Sequence, residues 1–308
     1  MLTRRAFCLA DRMTRLLSTG EDEGALQRYR VAPGTRTGRR LTLPTMGVHL
    51  TLLGTGTSQG VPVIACDCRV CTSTDPRDNR TRSSALFEVD GEHAPEGART
   101  FVVDTGPDFR QQMLRSKVTT LDAVLFTHEH KDHVAGLDDI RAFNFRQKRD
   151  MDVYAVPRVQ EALRREFKYV FDPHPYPGIP KVQLHDLDSG PITIGGVEVM
   201  PLPVVHYKLP VLGFRIGPIA YITDANAFAP ETWSRLEGVE VLVINALRKE
   251  PHLSHFTLDE ALEVIERVGP SEAYLTHISH LLGKHRDVAP DLPRGVFLGE
   301  DGLRISAA

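Results

Sequence analysis

The sequence predicts an α+β fold in which two mixed sheets carry helices on their outer faces. Segments with the two-residue period of strands are interleaved with segments of helical period from residue 48 onward. Strand and helix do not alternate strictly, which disfavours a single parallel sheet. The chain has 308 residues, 41% hydrophobic and 25% charged, so it is long enough to bury a sizeable core and has the balance of a globular protein.

The elements follow in order. "VHLTLLGTG" alternates apolar and polar residues and ends in a glycine turn, as a strand does. "SSALFEVDG" and "TFVVDTG" read as an antiparallel pair around the polar loop "GEHAPEGAR". "DFRQQMLRS" is a helix, "LDAVLFT" a buried strand, and "VAGLDDIRAFNFRQK" has helical spacing of apolar residues. "MDVYAV" is a strand and "PRVQEALRREFKYVF" a helix, with Pro157 tolerated in its first turn. Residues 172–180 form a proline-rich loop. "ITIGGVEVMPLPVVH", "LGFRIGPIAYITD" and "VEVLVINAL" are strands, and "TLDEALEVIERV" is an amphipathic helix with Leu258, Ala261, Leu262, Ile265 and Val268 on one face. "EAYLTHIS" adds a strand, and "GVFLGEDGLRIS" closes the chain as a hairpin. Nothing divides residues 47–308, so they are read as one domain.

Composition excludes some functions. A net charge of -3 is wrong for a nucleic-acid coat, so nucleic acid is not the expected partner. No apolar run approaches the roughly 20 residues a membrane span needs. Residues 1–46 are arginine-rich and lack periodicity, and are expected to be a disordered extension. "TRRAF" is a faint twin-arginine pattern, but Asp11, Arg12 and Arg15 interrupt the apolar stretch that must follow. Glu21, Asp22 and Glu23 argue against a transit peptide, leaving a cytoplasmic location as the expectation. Because "MGVHLTLLGTG" opens a strand directly, Met46 is a candidate for an alternative translation start, which an intact mass of the natively expressed protein would test.

The densest chemistry is "THEHKDH". His128 and His130 lie two apart at a strand end and point the same way, and Asp132 and His133 follow in the turn. Imidazoles and carboxylates at that density suit a borderline divalent metal better than a capping turn. Three later strand ends carry matching groups: His206 ends "PLPVVH", Asp224 ends "IAYITD" and His277 ends "EAYLTH". His206 would complete one metal site and His277 a second, with Asp224 able to bridge them. Cys66, Cys68 and Cys71 form C-x-C-x-x-C. Three thiolates leave one tetrahedral position on zinc, and His280, three residues past His277, supplies it. A structural zinc there would pin the first loop to the last. A disulfide framework fits less well, because no further cysteine lies inside the folded region.

These motifs resemble the metallo-β-lactamase superfamily, with "FVVDTG", "THEHKDH", His206, Asp224 and His277 in the family's order across residues 48–308. The resemblance implies a four-layer αβ/βα sandwich with a dinuclear site at one edge of the paired sheets. It implies that His128, His130 and His206 hold one ion, that Asp132, His133 and His277 hold the other, that Asp224 bridges, and that Asp104 orients the box. Zinc or manganese suits this site. "LTLLGTGTSQGVP", the cysteine motif, "PLPVVHYKL" and "LTHISH" resemble the cyclic phosphodiesterases of the carbon–phosphorus lyase pathway, which open phosphoribosyl 1,2-cyclic phosphate. That implies a small phosphate diester as substrate, and a homodimer. Asp132 and His255 are then the candidate catalytic residues. His255 matches the histidine that related phosphodiesterases place over the phosphate, with His252 and Lys208 as lesser candidates. A tRNA 3′-processing endonuclease of the same superfamily and a non-hydrolytic biosynthetic accessory protein are the competing readings. The cysteine motif is also similar to one in pyrroloquinoline-quinone biosynthesis proteins, but the intact histidine box favours hydrolysis.

Overall fold

Alternation at each strand places successive side chains on opposite sides of a sheet, and here both sides are covered. The computed structural model describes residues 47–174 and 176–307. The predicted extension over residues 1–46 lies outside them. The strands are β1 (Val48–Gly54), β2 (Ser84–Val89), β3 (Arg99–Val103), β4 (Ala123–Leu125), β5 (Met151–Ala155), β6 (Val182–Asp186), β7 (Ile192–Ile194), β8 (Val197–His206), β9 (Leu209–Ile216), β10 (Ile219–Ile222), β11 (Ala227–Phe228), β12 (Val241–Asn245), β13 (Glu272–Thr276), β14 (Val296–Leu298) and β15 (Arg304–Ala307). One sheet has the order β15-β1-β2-β3-β4-β5-β6; the other runs β11-β8-β9-β10-β12-β13-β14, with β7 on β8. Each sheet mixes antiparallel pairs with a parallel run, β3 to β6 in the first and β10, β12, β13 and β14 in the second.

Phe101 and Val103 of β3 and Val241 and Val243 of β12 point into the space between the sheets, with Phe87, Phe214 and Tyr221. Their neighbours Val102, Leu242 and Ile244 point outward under helices. The helices are α1 (Phe109–Arg115), α2 (Lys131–Val134), α3 (Arg141–Gln147), α4 (Pro157–Glu166), α5 (Pro230–Arg235), α6 (Leu258–Val268) and α7 (His285–Val288). Residues of α1, α3 and α4 cover the first sheet and residues of α6 the second. The result is the expected helix–sheet–sheet–helix sandwich. No helix among the described residues is long and apolar enough to cross a membrane.

The structure corrects three expectations. β1 was read as half-polar, yet all seven of its residues are buried. It lies between β2 and β15, and both of its faces meet a core layer. His49 is accommodated by a 2.8 Å hydrogen bond between its Nδ1 and Ser306 Oγ. Second, the C-terminal strands are no hairpin. β14 pairs parallel with β13 in one sheet, and β15 pairs antiparallel with β1 in the other. The turn between them is fastened by Asp301, which accepts from the backbone N–H of Thr55 at 2.9 Å and of Thr81 at 2.8 Å. Third, on α6 the buried face is centred on Leu258, Ala261, Val264 and Ile265, while Leu262 and Val268 sit at its margin. That helix starts with a capping box between Thr257 and Glu260 and stops at Gly269, whose φ of 67° is open to glycine at little cost.

Candidate metal centre

The centre is assembled where strands of both sheets end. Asp104 follows β3 with φ of 63° and is fully buried. Its Oδ1 accepts from Thr127 N–H at 2.9 Å, and its Oδ2 accepts from Thr127 Oγ1 at 2.8 Å and from His133 Nδ1 at 2.7 Å. One carboxylate thus links the end of β3 to both ends of the histidine box. The turn is tight enough to need glycine: a Cβ on Gly106 would lie 2.2 Å from the Asp132 carbonyl oxygen, and one on Gly136 would lie 2.1 Å from that of Gly106.

The same logic sets the histidine tautomers. Thr127 gives its hydroxyl hydrogen to Asp104, so it accepts from His128 Nδ1 at 2.9 Å. His206 Nδ1 donates to the Ser254 carbonyl at 2.9 Å. Ser83 donates to the Gly56 carbonyl at 3.0 Å and lies 3.2 Å from His277 Nδ1. In His128, His133 and His206 the Nδ1 is therefore tied to the scaffold and Nε2 is turned inward, the arrangement that metal-binding imidazoles adopt, whereas His277 Nδ1 lies between Ser83 and Asp224 Oδ1.

The inward atoms converge. One donor atom each from His128, His130 and His206 lies within 4.8 Å of the others, and the same holds for His128, His133 and Asp224 and for His206, Asp224 and His255. Asp224 Oδ2 lies 3.4 Å from His133 Nε2 and 3.9 Å from His128 Nε2, and its Oδ1 lies 3.0 Å from His277 Nδ1. Asp132 Oδ2 lies 3.2 Å from His133 Nε2. Every residue assigned to the dinuclear site from the sequence is thus at this one place. His255 is there too, its ring 4.6 Å from those of both His206 and His277.

Electrostatics indicate what the set lacks. Burial, reinforced by the charge of His133, holds His128 well below the usual imidazole value. Burial would also lower His133, but Asp224, Asp104 and Asp132 together outweigh it and lift its pKa well above that value. Burial would raise Asp224, yet His277 and His133 hold it well below the usual carboxylate range. The buried Nε2 atoms of His133 and His277 have no hydrogen-bond partner. Lone pairs and carboxylates aimed at one small volume, with a proton drawn onto His133, fit bound cations.

The second cluster is as tight. His280 Nδ1 lies 3.3 Å from Cys66 Sγ and 3.4 Å from both Cys68 Sγ and Cys71 Sγ. The three thiols are free of disulfides. The Cys71 backbone N–H, more than the His280 contact, lowers the Cys68 thiol to about 6, while burial pushes Cys71 up to about 11. A thiolate donor beside three further ligands suits zinc.

Other contacts were not legible in the sequence. Thr127, Ser83 and the Ser254 carbonyl carry no motif of their own. Arg158 on α4 donates to Glu129 inside the box at 2.5 Å and to the Pro210 carbonyl at 2.6 Å, tying the box to the β8–β9 hairpin. Of the lesser candidates, His252 is exposed with its ring 5.1 Å from that of His255, and the Lys208 ammonium lies 5.2 Å over the Tyr207 ring rather than among the metal donors.

This geometry agrees with comparison to known proteins. Residues 99–278, more than half of the chain, match the beta-lactamase superfamily domain, and the chain belongs to the metallo-β-lactamase superfamily. Within it, the chain lies close to the PhnP family. A crystal structure described as a new diphosphatase from that family superposes with a TM-score of 0.77 at 36% identity, over 85% of this chain and 98% of the other. An octanoyltransferase of Porphyromonas gingivalis is 41% identical over 254 residues, which are 82% of this chain and 50% of that protein. This chain therefore spans half the length of that relative, and octanoyl transfer is not carried over to it. A ribonuclease Z of Mycobacterium sp. (strain KMS) is 27% identical over 295 residues, covering 84% and 95%. The family is one of metal-dependent hydrolases, and its fold implies divalent metal at this centre.

Proposed function

We propose that the protein is a dinuclear phosphodiesterase that opens a small, cyclic phosphate diester such as phosphoribosyl 1,2-cyclic phosphate. The observation that carries this is the convergence of two histidine–carboxylate sets on Asp224, with His255 over them. His128, His130 and His206 would hold one ion, Asp132, His133 and His277 the other, and Asp224 both. Bound there, two zinc or manganese ions lower the pKa of water and neutralise charge on phosphoryl oxygens. Cys66, Cys68, Cys71 and His280 would hold a structural zinc.

The chain's own groups do the rest. Asp104 holds His133 in one tautomer through its Nδ1, and Asp132 is placed beside the same ring. Burial, together with the charge of His277, lowers His255 to about 2, so its imidazole is neutral before substrate arrives. Its buried Nδ1 has no partner in the protein. A neutral imidazole can donate its one N–H to a phosphoryl oxygen. That favours phosphate binding over a resting general acid, and an arriving anion would raise its proton affinity toward the leaving oxygen.

The test is turnover of bis(p-nitrophenyl) phosphate with added manganese or zinc. Asp132→Ala should lose at least about 10³-fold, and His255→Ala about 10²-fold, within the range for one acid–base or phosphate-binding group. No turnover by the metal-loaded wild type on this ester or on cyclic phosphates would end the reading. The ribonuclease Z similarity supports a second reading, and cleavage of precursor tRNA at rates above those on small diesters would favour it.

A further inference from the structure

Three loops that carry groups of the metal centre are tied together at a residue that bears no charge. Asn245 ends β12 and is fully buried. Its side chain grips Ala225, in the loop after β10, by both backbone groups. Oδ1 accepts from the Ala225 N–H at 2.8 Å, and Nδ2 donates to the Ala225 carbonyl at 2.9 Å. That N–H belongs to the peptide bond joining Asp224 to Ala225. The same carbonyl also accepts from the Phe256 N–H at 2.8 Å, in the peptide bond that follows His255. On the main chain, Asn245 pairs with Thr276 of β13, and the Ala246 N–H donates at 2.9 Å to the Thr276 carbonyl, in the peptide bond that precedes His277. One buried amide thus stands where the backbones of Asp224, His255 and His277 are joined.

Two of those backbones need holding. Asp224 has φ of 54° and His277 φ of 52°, in the left-handed region. Residues with a side chain stay there at a cost, and only where the surroundings over-determine the conformation. Ala225 is fully buried, so loss of the Asn245 amide would strand its N–H away from water. The Asp224–Ala225 peptide would then turn toward another acceptor. Asp224 would leave the conformation that sets its Oδ2 3.4 Å from His133 Nε2 and its Oδ1 3.0 Å from His277 Nδ1.

Resting on the dinuclear reading of the centre, we propose that Asn245 is a positioning residue that holds Asp224 in the one conformation where its carboxylate serves both ions. It acts through the Ala225 backbone and touches none of the donor atoms.

The test measures manganese binding to the full chain by calorimetry, together with electron paramagnetic resonance of the loaded protein. Two ions that share a carboxylate give an exchange-coupled spectrum. Asn245→Leu should bind manganese about 10–100-fold more weakly, the loss typical of groups that orient a metal ligand, and should show the hyperfine pattern of uncoupled manganese. Asn245→Asp keeps the acceptor for the Ala225 N–H and loses the donor to the carbonyl. It should fall between the two, and it carries the test alone if the leucine variant does not fold. A merely structural asparagine would lower the melting temperature and leave affinity and coupling at wild-type values in every variant that folds; that result overturns the proposal. So does an uncoupled spectrum in a wild type that holds two ions. A wild type that takes up no second ion removes the dinuclear reading and this inference together. Two coupled ions without turnover of any diester remove only the diesterase reading.

Discussion

Asp104 illustrates how one side chain sets a metal site from outside it. It touches His133 Nδ1 and both donors of Thr127, and through Thr127 it also fixes His128. Asp104→Asn would put an amide where only acceptors serve. Loss of such an orienting carboxylate weakens metal binding by about 10–100-fold. Competition against a fluorescent chelator should show that drop with the fold intact by circular dichroism; unchanged affinity would deny Asp104 its orienting role. At this scale the donors were legible because each is a titratable residue at the end of an apolar strand. Thr127 and Ser83 were not, because a hydroxyl beside a histidine has many ordinary uses. What sets them apart here is that their hydrogens are committed elsewhere, to Asp104 and to the Gly56 carbonyl, which only coordinates reveal.

At the scale of elements, position in the sheet decided what pattern could not. β1 reads as alternating, but a strand flanked on both sides and covered on both faces buries its polar residues as well. "GVFLGEDGLRIS" has the spacing of a hairpin, but the two short strands complete different sheets. β6 was missed, since its half-exposed edge position leaves little hydrophobic signal. By contrast the span of α6 was legible from the helical period of "TLDEALEVIERV", although Val264, rather than Leu262 and Val268, completes its buried face. Thr257→Ala should remove the capping box and lower stability by about 1 kcal/mol in urea unfolding, leaving turnover unchanged. Gly106→Ala should do the opposite. Its new methyl would meet the Asp132 carbonyl oxygen and displace the box, so activity and metal content should fall by more than stability does. Equal activity in that variant would mean the turn is looser than its contacts imply.

For the whole molecule, a metal in the cysteine cluster would serve the fold as one in the histidine centre would serve the chemistry. The cysteine cluster joins residues 66–71 to His280, and Ile278 in between donates to the Thr55 carbonyl. A zinc there would link the loop after β1 to the loop after β13. Stripping with a strong chelator should therefore lower the melting temperature as well as end activity, and Cys68→Ser should reduce the zinc content by one equivalent in elemental analysis while the histidine centre still loads. If zinc content did not change in Cys68→Ser, the cluster would not be a metal site. By itself, the sequence determined the class of fold and singled out the candidate donors of both clusters, because apolar periodicity and titratable residues at strand ends are local properties. Only the tertiary structure decided that His128, His206, Asp224 and His277 meet, and which nitrogen each ring presents. Those facts depend on how strands distant in the chain are ordered within two sheets, and on which backbone and hydroxyl groups that order brings against each side chain.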